Sequence, residues 1–354
     1  MQKIKTIQNE LDGTSALLVT SSANRFYLTG FNSSAGSVLI TKNNAYFLID
    51  FRYFEKAKKV AENFQVLLSV KPYEEINGIL KQESISKLFI ECSSTSLEKY
   101  NTLKTKLENI HISTDVKFDK LLIELRAIKS EEEINLINEA QKLTDKTFSY
   151  ILNNIKEGRT EREIMLDMEF FMRSQGAESA AFDFVVVSGE NSSLPHGVPT
   201  DKKIEIGDYV TMDFGAVVGG YRSDMTRTVA VGGLSNEQIH VYDTVLKAQL
   251  VSLAEIRAGA VCSSIDKTAR DIISSSGYEG KFGHGLGHSV GVEIHETPSF
   301  SPSCDTILKS GMIMTVEPGI YLEGQFGVRI EDMVLIKDDG IINLTKSPKE
   351  LIIL

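Results

Sequence analysis

At 354 residues the chain is longer than the roughly 250–300 residues at which a single core stops growing, so two domains are expected. Its 42% hydrophobic and 24% charged residues, with only seven prolines, exclude a disordered chain and leave ample apolar surface for a core. A net charge of −10 argues against a nucleic-acid surface, which needs clustered Lys and Arg. Cys92, Cys262 and Cys304 lie far apart without CxxC spacing, so neither a disulfide framework nor a thiolate zinc site is expected, and a reducing cytoplasm fits best. The first residues, MQKIKTIQNELDG, place charges in every turn and lack the apolar segment of a signal peptide. No uncharged apolar run approaches the roughly 20 residues that span a bilayer.

In chain order, residues 15–50 read as short apolar runs broken by Ser, Asn and Gly, a strand-and-turn pattern. Helical stretches follow at 52–62 and 95–108, with a strand-like LFIEC at 88–92 between them. Residues 1–127 therefore read as a small mixed α/β domain. At Ser130 the sequence Ser-Glu-Glu-Glu forms a capping box that opens a long periodic stretch, so a second domain is placed at 128–354.

That second part carries an internal repeat. Ile155 to Gly158 and a helical pattern ending at Gly176 are echoed by Ile256 to Gly259 and Gly277, with a Gly-to-Gly spacing of 18 in both copies. Each copy is followed by a hairpin pattern, at 209–231 and 312–336, so the domain reads as two related α-then-β halves. In the first hairpin a turn at Val218-Gly219 is expected to set Asp213 opposite Asp224; in the second, a Glu323-Gly324-Gln325 loop sets Glu317 opposite Glu331. Opposed side chains have Cβ atoms about 4.5–5.5 Å apart, where like charges destabilise. Val210, Met212, Ile313, Val316, Val328, Ile330 and Val334 make these strands apolar on both sides of the acids, as in a sheet covered on both faces. Buried carboxylates in that setting require cations.

The segment GHGLGHSVGVEIHE supplies nitrogen ligands: it holds three of the six histidines within twelve residues. Its glycines, Gly283, Gly285, Gly287 and Gly291, argue for a loop or bent strand instead of a helix. Four carboxylates and one imidazole are an oxygen-rich set that favours Mn or Co, with Zn possible.

These residues resemble the creatinase/prolidase/aminopeptidase P branch of the "pita-bread" metallopeptidases. The motifs occur in order as PHG at 195–197, MDFGA at 212–216, YRSDMTRT at 221–228, GHGLGH at 283–288, HE at 295–296, VEPGIY at 316–321 and RIED at 329–332. NRFYLTGFNSSAG at 24–36 is similar to the smaller leading domain of the same branch. The resemblance implies an α/β (α+β) fold with a creatinase-like leading domain and a pseudo-twofold pita-bread domain. It also implies a peptidase that cuts Xaa-Pro bonds, either in dipeptides or at the start of longer peptides, in a cytoplasmic homodimer. Carried over by residue, it implies two divalent ions, with Asp213 on one, Asp224 and Glu331 bridging, His288 and Glu317 completing the other, and a bridging hydroxide as nucleophile. It further implies that His196 and His295, with Glu317, serve catalysis, that His284 lines the proline pocket, and that Tyr321 and Arg329 orient ligands or substrate. Glu296 receives no role, and His111 and His240 read as surface residues.

Rival readings are weaker. Gly287-His288-Ser289-Val290-Gly291 fits the GxSxG pattern of serine hydrolases, but no helix pattern and no later Asp-then-His follow. GHGLG lacks the Lys-Ser/Thr of a phosphate loop. A non-catalytic pita-bread binding protein would have lost ligand positions that are all filled here. A methionine-aminopeptidase-like exopeptidase normally lacks a leading domain of this kind.

Overall fold

Short β-branched and aromatic runs build the leading part of the chain, and the computed structural model, which describes residues 2–354, collects them into one sheet. Its strands are β1 (Ser15–Val19), β2 (Ser37–Thr41), β3 (Ala45–Ile49), β4 (Gln65–Leu68), β5 (Lys87–Ile90) and β6 (His111–Ser113), in the order β4-β3-β2-β1-β5-β6. β1 runs antiparallel to β2 and parallel to β5. Around the sheet lie α1 (Gln2–Asn9), α2 (Ser22–Thr29), α3 (Phe51–Val60), α4 (Pro72–Gln82), α5 (Leu97–Lys106) and α6 (Lys117–Ala127). The strand-and-turn expectation fails at α2, which is helical. Ser21 caps it by accepting from the Asn24 amide, and Gly30 stops it at φ 68°. Its turn residues thus terminate a helix on both sides instead of separating strands. The chain divides after this part, into Met1–Arg126 and Ala127–Leu354.

The second unit opens on α7 (Glu131–Ile151), where the expected capping box is present: Glu133 N donates to Ser130 Oγ at 3.3 Å and Ser130 N to Glu133 Oε2 at 2.8 Å. α7 packs on α8 (Glu161–Ser174), and β7 (Ser179–Ala180), β8 (Val185–Ser188), β9 (Tyr209–Phe214), β10 (Ala216–Val218), β11 (Tyr221–Arg222) and β12 (Met225–Ala230) complete the first half. The second half repeats the plan with α9 (Asn236–Glu255), α10 (Cys262–Ile273), β13 (Gly287–Ser289), β14 (Glu296–Phe300), β15 (Ile313–Val316), β16 (Gly319–Leu322), β17 (Phe326–Arg329), β18 (Asp332–Lys337) and β19 (Gly340–Asn343). The glycines that mark the repeat adopt matching left-handed conformations, 86° and 88° at Gly158 and Gly259, 111° and 93° at Gly176 and Gly277. Each half has its own core. Ile164, Met168, Met212, Phe214 and Val229 pack in the first, and Val245, Ile265, Met314, Val328 and Val334 in the second.

The hairpin registers differ from expectation once. In the second hairpin Leu322 pairs with Phe326 and Gly319 with Arg329, while Val316 pairs with Asp332, the register that sets Glu317 against Glu331. In the first hairpin Asp213 pairs with Thr226, not Asp224. The turn falls at Gly219-Gly220, with φ of 55° and 76°. A two-residue turn of that hand needs positive φ at both central positions, which Val218 resists. The register moves by two, so Asp213 and Asp224 still share a face.

The halves meet beside these acids, where Glu331 N donates to Thr226 O at 3.1 Å and Thr228 Oγ1 donates to Arg329 O at 3.0 Å. No helix among the described residues is long and apolar enough to cross a membrane.

Candidate active site

Three of the four acids sit where the β ladder is interrupted: Asp224 between β11 and β12, Glu317 between β15 and β16, Glu331 between β17 and β18. Asp213 projects from β9 and His288 from β13. The close passage that brings the first pair together needs Gly215, where a Cβ would lie 1.9 Å from Ser223 O. The strand carrying His288 likewise needs Gly287, where a Cβ would lie 2.0 Å from Thr315 O. A side chain at either position would force the acid-bearing strands apart.

The resulting cluster is tight. His288 Nε2 lies 3.6 Å from Asp224 Oδ2 and 3.4 Å from Glu317 Oε1. One ligand atom each from Asp224, His288 and Glu331 falls within 4.8 Å of the others. Arg329 Nη2 pairs with Asp213 Oδ2 at 2.7 Å, Thr226 Oγ1 donates to Glu331 Oε2 at 2.7 Å, and Thr315 Oγ1 to Glu317 Oε1 at 3.0 Å. The second oxygens, Asp213 Oδ1 and Glu331 Oε1, are buried without a hydrogen-bond partner.

Electrostatics follow from this crowding. Burial, then Glu331 and Asp213, push the Asp224 carboxyl well above its ordinary range; burial, then Glu317 and Asp213, do the same to Glu331. Burial pushes Glu317 up to about 8 against the opposing field of Arg329. His288 is lowered to about 4 by burial and by His295, and His284 to about 4 by burial and Arg329. Burial alone would depress Arg329, but Tyr321, Asp213 and Glu317 outweigh it and raise its pKa.

His288 is therefore neutral, and its Nδ1, 3.1 Å from Ser289 O, must carry the proton to bond that carbonyl. Nε2 then turns a lone pair toward two carboxylate oxygens. A nitrogen lone pair among carboxyls that burial keeps protonated, beside two orphaned carboxyl oxygens, is a donor set that a divalent cation would fit, taking the place of those protons.

Around the acids lies a cleft of about 1020 Å³. His284, Arg329, His196 and His295 all line it, the last two exposed. Tyr321 stands behind His284: Arg329 Nη1 donates to the Tyr321 hydroxyl at 2.9 Å, and that oxygen is 2.8 Å from His284 Nε2. His284 Nδ1 faces Gly285 O at 2.9 Å. All ten residues singled out from sequence are thus at or immediately behind one cleft. His111 and His240 are exposed outside it. Ser289 of the GxSxG string is fully buried in a strand, no place for a nucleophile elbow. Thr226 and Thr315 were missed by sequence reasoning. Their i, i+2 spacing from Asp224 and Glu317 puts them on the same strand faces as those acids and could have found them.

Residues 135–338 match the model of metallopeptidase family M24. The chain belongs to that family. Residues 2–128 of this M24 metallopeptidase match the creatinase/prolidase N-terminal domain. It is 38% identical to the Xaa-Pro dipeptidase of Pyrococcus horikoshii, over 99% of each chain. Among solved structures, an Xaa-Pro dipeptidase from Bacillus anthracis superposes with a TM-score of 0.94 at 42% identity, covering 100% of this chain and 98% of that one. An X-Pro aminopeptidase from Thermotoga maritima gives 0.91 at 34%, covering 98% and 100%. The M24 peptidase shares its mixed α/β architecture, a leading domain before the pita-bread domain, with these relatives.

Proposed function

We propose that this M24 peptidase hydrolyses the bond between a first residue and a following proline, with Asp213, Asp224, His288, Glu317 and Glu331 holding two divalent cations. The observation that carries the reading is the His288 lone pair set against Asp224 and Glu317 beside the orphaned oxygens of Asp213 and Glu331. The oxygen-rich donor set supports Mn or Co, with Zn able to substitute. The relatives, an Xaa-Pro dipeptidase and an X-Pro aminopeptidase among them, support the proline specificity. A cytoplasmic homodimer is the form we assign to it.

What such cations supply when bound is polarisation of the scissile carbonyl and acidification of water. The chain's own residues do the rest. Arg329 directs four of its five N–H donors to Asp213, Thr226, Tyr321 and Pro195 O, so its main part is to orient the acids. Tyr321 takes a hydrogen bond from Arg329 and gives one to His284 Nε2, which holds the neutral imidazole rigid as a wall for the proline ring. His196 and His295, exposed in the cleft, are placed to donate to the substrate carbonyl as charge develops on it. Glu317, through the oxygen not bonded to Thr315, accepts the proton of the attacking water and returns it to the departing nitrogen.

The test compares an Ala-Pro dipeptide with an Ala-Pro-Ala tripeptide, before and after chelation. Cleavage of the dipeptide alone assigns a dipeptidase, and cleavage of the tripeptide an aminopeptidase. Full turnover by metal-stripped protein overturns the mechanism. Metal binding without turnover of either substrate supports a non-catalytic pita-bread protein instead.

A further inference from the structure

Three residues remain outside the site as described. Ser289 belongs to a hydrolase-like string it does not serve, Glu296 follows His295 without a role, and Lys129 precedes the α7 cap. They meet in the interior. Lys129 Nζ donates to Ser289 Oγ at 2.9 Å and lies 3.4 Å from both Glu296 Oε2 and Ala127 O. The Lys129 and Glu296 side chains are 2% and 3% exposed. A charge pair this deeply buried is held by geometry and not by a flexible surface contact.

Its location gives it a second meaning. Ser289 and Glu296 are cross-strand partners of β13 and β14, and the ladder shifts register between His288 and Ser289. Ser289 pairs with Glu296 while His288 pairs with Ser299, so two extra residues bulge from β14 at this rung. A bulge interrupts ladder hydrogen bonds and re-aims the neighbouring side chains. The side chains here are His288, just before the rung, and His295, at the end of the loop it closes. Their rings stand edge to face with centroids 4.5 Å apart. The loop between them is held at its tip as well. Arg222 N donates to Gly291 O at 2.9 Å, the Arg222 guanidinium donates to Val292 O, and Glu293 N donates to Glu296 Oε1 at 3.1 Å. Lys129 itself is fixed by its backbone amide, which donates to Gly311 O at 2.9 Å.

We propose that Lys129 is a positioning residue: its ammonium, bound across the Ser289 and Glu296 rung, fixes the bulge that sets His288 against His295. The proposal rests on the assignment of those two histidines to the active site. It extends the site to a residue that touches neither substrate nor metal.

Lys129→Met, Glu296→Gln and the double variant test it, assayed with the better of the two Ala-Pro substrates and by ¹H–¹⁵N imidazole spectra of metal-free protein. Each single variant is expected to lower kcat by roughly 10–100-fold, the scale of a small misplacement of reacting groups, with KM nearly unchanged. The double variant should be no worse than the worse single, because both break one unit. The His288 and His295 ring resonances should shift while those of His111 and His240 stay in place. A folded Lys129→Met protein with wild-type kcat and unmoved His288 and His295 resonances overturns the proposal. If Lys129→Met does not fold, Ser289→Ala, which deletes one hydroxyl, must still move those two resonances; unmoved resonances there are equally fatal. If the wild-type protein cleaves neither peptide, the proposed function fails, and the imidazole spectra still decide the positioning role.

Discussion

Stripping the cations makes the acid cluster a liability whose size depends on pH. In the metal-free protein burial raises Glu317 from 4.5 to about 8. A carboxyl raised on folding favours the folded state fully below its unfolded pKa, and that advantage is lost as pH rises through the folded value. His284 and His288 shift the other way, from 6.5 to about 4, so their stabilisation is present above 6.5 and lost as pH falls toward 4. Between pH 6.5 and 8 the folded histidines are neutral, the unfolded ones shed their remaining protons within about the first unit, and beyond that the acids act alone. Over those 1.5 units Glu317 by itself costs about 2 kcal/mol at 1.36 kcal/mol per unit. Because its side chain keeps 16% exposure, that is an upper figure for this residue, but Asp224 and Glu331 shift in the same direction and add to it. For a unit the size of Ala127–Leu354 the melting temperature should fall by roughly 4–8 °C across the window. Added Mn²⁺ should reverse the slope, since ligands must be deprotonated to bind and stabilisation by metal grows with pH. Differential scanning fluorimetry on chelator-treated and Mn²⁺-loaded protein measures both slopes. A metal-free melting temperature that rises from pH 6.5 to 8 would refute the buried-acid argument.

Three further outcomes are expected. Glu331→Gln removes the charge behind an orphaned oxygen and should weaken Mn²⁺ binding, read by calorimetry, by on the order of 10–100-fold or more; unchanged affinity would remove Glu331 from the ligand set. Arg227, fully buried, donates to Thr226 O, Glu331 O, Ser347 O, Pro348 O and Asp332 Oδ1. Arg227→Met should therefore cost about 3–5 kcal/mol in urea unfolding followed by far-UV circular dichroism, the chain having no tryptophan; a loss below about 1 kcal/mol would contradict the count of orphaned carbonyls. Gly215→Ala, facing a backbone oxygen at 1.9 Å, should cost about 1–3 kcal/mol and lower metal affinity with it, whereas a neutral effect on both would mean the strands separate freely.

The sequence carried the acid pairs because strand alternation and turn chemistry are local. Gly324, at φ 69°, is the one residue of its loop suited to a left-handed position, so the second hairpin's register was legible. Two adjacent glycines in the first hairpin offered two turns, and only the steric cost at Val218 chose between them. α2 was illegible for a similar reason: eight residues give too few periods to reveal a helix, and its ends are decided by Ser21 and Gly30. Lys129 and Arg227 were beyond reach altogether. Their partners lie 160 and 105 residues away, and nothing in the local pattern distinguishes a Lys that turns inward from one that stays in water.

The duplication has a consequence for the order in which the second unit folds. Each hairpin closes over a short loop, but Thr226 and Glu331, which join the halves, are 105 residues apart. The pairs Asp213 with Asp224 and Glu317 with Glu331 meet only when the halves dock. The repulsion within each pair is borne by its own hairpin, whereas that between the two pairs falls on docking, a late step of high contact order. A divalent cation that binds the assembled nest acts on that same step. In its absence docking carries that repulsion unrelieved, and during folding the inner faces of the two halves stay exposed for longer to proteases and to other copies.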